Sequence, residues 1–204
     1  MPSREEVKEA LFLSLEEMAA HGQEPDIITF AGNGEPTLHP QFAGIIDDTI
    51  EVKNIFFPDA DIAVLTNATT LNNPEVCNAL KKIDKSILKL DSAIDSTIEL
   101  HNRPGKRLTA ESIITALENF DGEIIVQTMF IRGSYNNIDI DNTTEEEIVA
   151  WLAALNRIRP AEVQIYTVSR DTPYGNTIEK VSVEELDRIA ERVKNLGIAT
   201  QVSG

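Results

Sequence analysis

The sequence predicts one α/β domain spanning residues 1–204, a partial (β/α) barrel of about six parallel strands with helices on its outer face. Three observations carry this reading. Amphipathic helical runs and short β-branched runs alternate along the chain, the pattern of right-handed βαβ units. Capping-box signals mark helix starts at regular intervals. Polar residues collect directly after five successive strand-like runs, and in a parallel sheet those ends share one rim.

The elements follow in order. Ser3-x-x-Glu6 opens a helix to about Ala20, and no strand precedes it, as if a repeat unit were cut in half. A strand follows from Ile27 to Phe30, and a helix beginning near Pro40 carries Phe42, Ile45, Ile46 and Ile50. The run Ile62 to Leu65 is a second strand, Asn73-Pro74 starts a third helix, and Ile87 to Leu90 is a third strand. Thr109 opens the next helix, before a long strand from Ile124 to Ile131 and a mobile surface loop from Arg132 to Asp139. Thr144-x-x-Glu147 and Ser182-x-x-Glu185 start the last two helices, each followed by a strand, Val163 to Val168 and Ile198 to Val202.

Composition narrows the function. The chain of 204 residues with 42% hydrophobic content supports one well-buried core. A net charge of −16 repels polyanions, and no basic patch offsets it, so no nucleic-acid partner is expected. No run approaches the length of a membrane span and the N-terminus lacks the apolar core of a signal peptide, which gives a cytoplasmic expectation. The single cysteine, Cys77, excludes an intrachain disulfide, and beside Val76 and Leu80 it reads as a core-facing residue rather than a reactive thiol. No two histidines have metal-ligand spacing.

The densest functional signal is Phe30-Ala31-Gly32-Asn33-Gly34-Glu35-Pro36-Thr37-Leu38. Two glycines let the backbone approach a ligand closely, Pro36 fixes the exit and Glu35 supplies a carboxylate. Further polar sets follow the other strands: Thr66-Asn67-Ala68-Thr69, Lys89 with Asp91-Ser92, Gln127 with Arg132-Gly133, and Ser169-Arg170-Asp171. Convergence of five sets on one rim predicts a ligand site. Lys89 and Asp91, two apart, are either a buried ion couple or ligand contacts, and Asn67 is either a turn residue or a substrate contact.

These motifs, in this order, resemble the radical S-adenosylmethionine (SAM) superfamily, in particular its bacterial and archaeal iron-sulfur oxidoreductase group. The glycine-flanked acidic turn is the most specific point, and the match runs over nearly the whole chain. The resemblance implies a TIM-like partial barrel that binds SAM. Gly32, Asn33, Gly34 and Glu35 would hold its methionine amino group, and Lys89, Asp91 and Ser92 would lie near its ribose. The strand with Gln127 would flank its adenine, and Asn67 and Arg170 would complete the rim. It also implies a 4Fe-4S cluster held by three cysteines in CxxxCxxC spacing. This sequence lacks them, so the first barrel strand and the cluster loop are expected upstream of Met1, removed by a trimmed domain, a misplaced start codon or natural loss.

Two functional readings follow. In the first, the parent protein reductively cleaves SAM to methionine and a 5′-deoxyadenosyl radical that acts on an unknown small-molecule or protein substrate, and this chain alone is inactive. In the second, the same scaffold is a non-catalytic module that binds a small molecule or a partner. Under either, the unpaired edge of Ile27 to Phe30 is expected to favour self-association.

Overall fold

The computed structural model describes residues 1–32, 34–102, 108–135, 138–168 and 177–204, apart from the side chains of 101, 102 and 135. Its helices are α1 (Arg4–Ala20), α2 (Phe42–Phe56), α3 (Pro74–Leu80), α4 (Asp95–Asn102), α5 (Ala110–Glu118), α6 (Glu145–Ile158) and α7 (Val183–Lys194). Its strands are β1 (Ile27–Phe30), β2 (Asp61–Thr66), β3 (Lys85–Lys89), β4 (Ile125–Met129), β5 (Ile131–Tyr135), β6 (Ile138–Asp141), β7 (Glu162–Tyr166), β8 (Ile178–Lys180) and β9 (Ala199–Ser203). Six of the strands form a parallel sheet in the order β1-β2-β3-β4-β7-β9, and β6-β5-β8 form a second, antiparallel sheet. The large sheet is open, with β1 and β9 at its edges. The chain divides into two compact units, Met1–Ile87 and Leu88–Gly204, and the division falls within β3.

Helix starts obey the capping chemistry written in the sequence. Ser3 Oγ accepts the Glu6 N–H at 3.2 Å while Glu6 Oε2 accepts the Ser3 N–H at 2.7 Å, so two otherwise orphaned donors are satisfied. Thr109 repeats this reciprocal pair with Ser112 at α5. Asn73, Thr144 and Ser182 cap α3, α6 and α7 one way, each side-chain oxygen accepting a first-turn N–H, with no return bond from the Glu of the expected boxes at Thr144 and Ser182. The helix α6 stops where Arg159 turns left-handed, φ 54°, immediately before Pro160.

In the first unit, β1 pairs with β2 from Ile27 opposite Asp61 to Phe30 opposite Val64. Ile46, Val52, Ile62, Val64 and Leu80 fill its core. Strand β1 has no partner on its outer side among the described residues, and Ile27 is 37% exposed. The helix α1 is held to α2 by Arg4, whose Nε and Nη2 donate to Asp48 at 2.6 and 2.9 Å, with Lys8 Nζ at 3.4 Å from the same carboxylate. The hydrogen bonds from Arg4 hold the Asp48 carboxyl below the usual aspartate value, against a smaller opposing effect of burial. A lowered folded-state pKa stabilises above the unfolded pKa and ceases to do so as pH falls through the folded value. Asp48→Asn is therefore expected to melt below the wild type at pH 7, with the gap closing as the pH is lowered past the ordinary aspartate value of about 3.9 and through the lower folded one. Thermal scans against pH check this, and a gap that persists undiminished in acid would remove the ion pair as its source.

In the second unit, β4, β7 and β9 run parallel in register, with Val126 opposite Val163 and Val163 opposite Thr200. Leu155 of α6 and Leu186 and Val193 of α7 are buried, as are Val126, Val163 and Ile165 of the strands. Trp151 of α6 stands edge-on to Phe130, with centroids 5.2 Å apart at 87°.

Three expectations are corrected. The run Ile124 to Ile131 is not one strand: β4 ends at Met129, and Ile131 begins β5 in the antiparallel sheet. The segment Arg132 to Asp139 is not a loop, because β5 and β6 form a hairpin with Arg132 opposite Asp141; only Asn136 and Asn137 within it lie outside the described residues. The strict alternation also fails three times, where α5 follows α4, where β4, β5 and β6 succeed one another and where β8 follows β7. The cause of the strand break is local. Phe130 N–H still donates to Tyr166 O at 2.8 Å, but Ile131 N–H turns to the Asn142 side chain, Oδ1 at 2.8 Å. The close approach of β8 to β5 depends on Gly133, φ 140°, where an added Cβ would lie 1.9 Å from Thr177 O.

No helix among the described residues is long and apolar enough to cross a membrane.

Candidate functional site

The glycine turn lies at the C-terminal end of β1. Gly32 and Gly34 have φ of 135° and 145°, values that side chains rarely tolerate, and Gly34 N–H closes the turn onto Gly32 O at 2.8 Å. A Cβ built on either glycine would meet nothing within 4 Å, so the space over the turn is open. Beside it is a concavity of about 520 Å³, lined by Thr29, Phe30, Leu38 and Phe42 together with the turn. Asn33 lies outside the described residues.

Glu35 turns its carboxylate inward. Oε1 accepts the Thr37 N–H at 3.1 Å and the hydroxyls of Thr37 and Thr66 at 2.5 and 2.6 Å, and Oε2 accepts the Asn67 N–H at 2.7 Å. The carboxylate thus ties the turn to the residues that leave β2. Asn67 acts as a turn residue, its Oδ1 accepting the N–H and hydroxyl of Thr69 at 3.0 and 2.7 Å, and Ala68 takes a left-handed φ of 63° between them. His39 orders the approach to α2: Nδ1 accepts the Gln41 N–H at 3.0 Å, which leaves Nε2 to donate to Pro2 O at 2.9 Å.

The remaining candidates belong to the second unit. Lys89 Nζ lies 3.1 Å from Asp91 Oδ2, and Asp91 is 3% exposed with Oδ1 accepting the Met129 N–H at 2.9 Å. The ion couple is therefore the arrangement formed. Burial works against the Lys89 ammonium, but the charge of Asp91, helped by Tyr166, outweighs it and holds the lysine above its ordinary value. A lysine so held is no neutral amine nucleophile. Burial pushes the Tyr166 phenol up, partly countered by Lys89.

Ser92 is buried, donating to Glu147 Oε2 at 2.6 Å, and Thr97 donates to Glu147 Oε1 at 2.5 Å. Gln127 Nε2 donates to Gln164 Oε1 at 3.2 Å, and Arg170 lies outside the described residues. Sequence reasoning missed the residue that organises this end of the sheet. Asn142, 1% exposed, donates through Nδ2 to Asp91 O and Met129 O at 2.8 Å each and accepts from Ile131 N. Its only sequence signal is a place in the turn-like run Asp141-Asn142-Thr143-Thr144. Glu147 was visible only as a capping residue.

Cys77 is half-buried, its Sγ donating to Leu71 O at 3.0 Å, and burial pushes its thiol up. Among the described residues no group of three or more His, Cys, Asp or Glu could hold a metal ion.

Comparison with known proteins places the fold. A crystallised radical SAM methyltransferase from Sphaerobacter thermophilus superposes with a TM-score of 0.68 over 99% of this chain and 57% of that one, at 14% identity. The fold is that of the radical SAM partial barrel. A domain of pyruvate-formate lyase-activating enzyme from Bacteroides vulgatus gives 0.62 at 17% identity, covering 87% of this chain and 98% of that one. Streptococcus suis SuiB bound to S-adenosylmethionine gives 0.65 at 14% identity, covering 97% and 43%. No family model matches the sequence.

Among curated proteins, a UPF0026 protein of Synechocystis is 33% identical over 160 residues, which are 76% of this chain and 55% of the relative. A UPF0026 protein of Methanocaldococcus jannaschii is 29% identical over 187 residues, 89% of this chain and 54% of the relative. A protein named GTPase Obg of Brachyspira hyodysenteriae is 29% identical over 182 residues, 87% of this chain but 25% of that protein. The chain spans about half the length of the UPF0026 relatives it matches.

Proposed function

We propose that this chain is the SAM-holding core of a radical SAM enzyme whose parent protein reductively cleaves SAM to a 5′-deoxyadenosyl radical acting on a further substrate. The observation that carries the reading is the open glycine turn after β1, clamped from behind by Glu35 on a sheet of this architecture. The turn fits the methionine end of SAM. It presents bare backbone to open space, and the carboxylate behind it favours an ammonium group without leaving its own hydrogen bonds. The residues of this chain do not fit an iron-sulfur cluster, since three thiolates are needed and Cys77 is the one cysteine. Its part in the reaction is confined to binding and orienting SAM and substrate, and the electron source belongs to sequence outside it. The name GTPase does not transfer, because no Gly-x-x-x-x-Gly-Lys-Ser/Thr phosphate loop occurs in the sequence.

Titration of the ¹⁵N-labelled chain with SAM tests the reading. Saturable shifts are expected at the Gly32 and Gly34 amides, at millimolar SAM in the absence of a metal partner. Gly34→Val is expected to weaken binding about tenfold or more, because its φ of 145° strains any β-branched residue and the side chain enters the ligand's space. Absence of saturable shifts at both glycines would overturn the assignment.

A further inference from the structure

Strands β4, β7 and β9 alternate along their length between residues facing the helices and residues on the opposite face. Val126, Thr128, Val163 and Ile165 are buried, and Trp151 of α6 donates to Thr128 Oγ1 at 3.1 Å, which defines the helix-covered face. On the other face the register sets Gln127 opposite Gln164 and Gln164 opposite Gln201. Three glutamines thus stand abreast on adjacent parallel strands, spaced by about 4.8 Å, the interstrand distance.

The amides of this row have a direction. Gln127 Nε2 donates to Gln164 Oε1, and Gln164 Nε2 donates to Glu162 Oε1 at 3.0 Å. An ionised carboxylate only accepts, so Glu162 draws the Gln164 amino group toward itself and leaves the Gln164 carbonyl for Gln127. The series ends in Gln127 Oε1, a carbonyl on the side of the row toward β3 that accepts no hydrogen bond among the described residues. Electrostatics select against anions. β4, β7 and β9 contain no Lys or Arg, Glu162 contributes a negative charge, and the nearby ammonium of Lys89 is already met by Asp91. Half-exposed amides that offer both an oriented acceptor and spare N–H donors match a group carrying the complementary pair in one plane.

We propose that the glutamine row binds an uncharged ligand through a planar amide group, a carboxamide, lactam or imide. The ligand N–H donates to Gln127 Oε1, the ligand carbonyl accepts a spare N–H of the row, and Glu162 is the positioning residue that sets the amide direction. Under the function proposed above this ligand is the substrate, and only that word rests on that reading.

The test uses the full chain with ¹⁵N-labelled glutamine side chains, and nicotinamide and nicotinate as probes of one ring bearing either an amide or a carboxylate. Nicotinamide is expected to shift the Gln127 and Gln164 side-chain amides saturably, with nicotinate weaker by about tenfold, the value of one hydrogen bond. Gln127→Leu, checked for folding by its backbone spectrum, is expected to abolish the response. Glu162→Gln is expected to bring the two probes toward equal affinity, a change that mere loss of packing would not produce. Equal binding of both probes to the wild type, shifts confined to other residues, or no saturable shift would each overturn the proposal. SAM shifts at Gly32 and Gly34 are recorded in the same samples. Their absence with the nicotinamide response intact sinks the SAM reading alone, and the reverse sinks this inference alone.

Discussion

Asn142→Ala is expected to destabilise the chain by about 3–5 kcal/mol, since each buried polar group left without a partner costs about 1–3 kcal/mol. The substitution removes the acceptor of Ile131 N and the donor to two carbonyls, Asp91 O and Met129 O, at a site closed to water. That loss is a large share of a typical domain stability of about 5–15 kcal/mol. Urea unfolding followed by circular dichroism measures it, and Asn142→Asp is expected to give no rescue, because it faces both carbonyls with an oxygen. A loss below about 1 kcal/mol for the alanine variant would show that the neighbouring backbone finds other partners.

Trp151→Ala is expected to cost about 3–5 kcal/mol, the range for truncating a buried aromatic. Trp151 is 1% exposed, meets Phe130 edge-on and donates to Thr128 Oγ1, so its loss opens a cavity between α6 and β4. Trp151→Phe should retain most of the packing. Its cost is expected to be about 1 kcal/mol, because Thr128 Oγ1 keeps its own donation to Leu90 O at 2.8 Å. Denaturant midpoints by circular dichroism decide the matter, since Trp151 is the chain's one tryptophan and fluorescence disappears with it. Equal losses for the two variants would place the energy in the hydrogen bond rather than the packing.

What was legible in the sequence was whatever local chemistry determines. Ser3, Asn73, Thr109, Thr144 and Ser182 cap helices because a side-chain oxygen within three residues suffices, and Ile27 to Phe30 is a strand with those bounds. The glycine turn was legible for the same reason: two positive-φ positions leave a mark in residue type. The unforeseen features all depend on partners distant in sequence. The break after Met129 follows from an amide of Asn142, and the run Ile125 to Ile131 carries no Gly or Pro to announce it. The roles of the rim residues were less legible still. Ser92 reads as a ligand contact, and nothing near it in the sequence announces that its hydroxyl donates to Glu147, 55 residues away. Lys89 and Asp91 allowed two readings by spacing, and only their 3.1 Å approach selects the ion couple.

The pairing of Ile131 with Asn142 has a bearing on how such a chain can vary. Asn142 accepts from Ile131 N through its side chain and returns its own N–H to Ile131 O at 3.3 Å, so the two ends of the β5–β6 arm are joined at its base. Chain added at the tip, between Tyr135 and Ile138, would extend an excursion that is already closed. The entropy of closure rises only with the logarithm of loop length, so each doubling costs about 0.6 kcal/mol. The arm is thus a branch point at which inserted sequence can diversify while the strands of the parallel sheet keep their register.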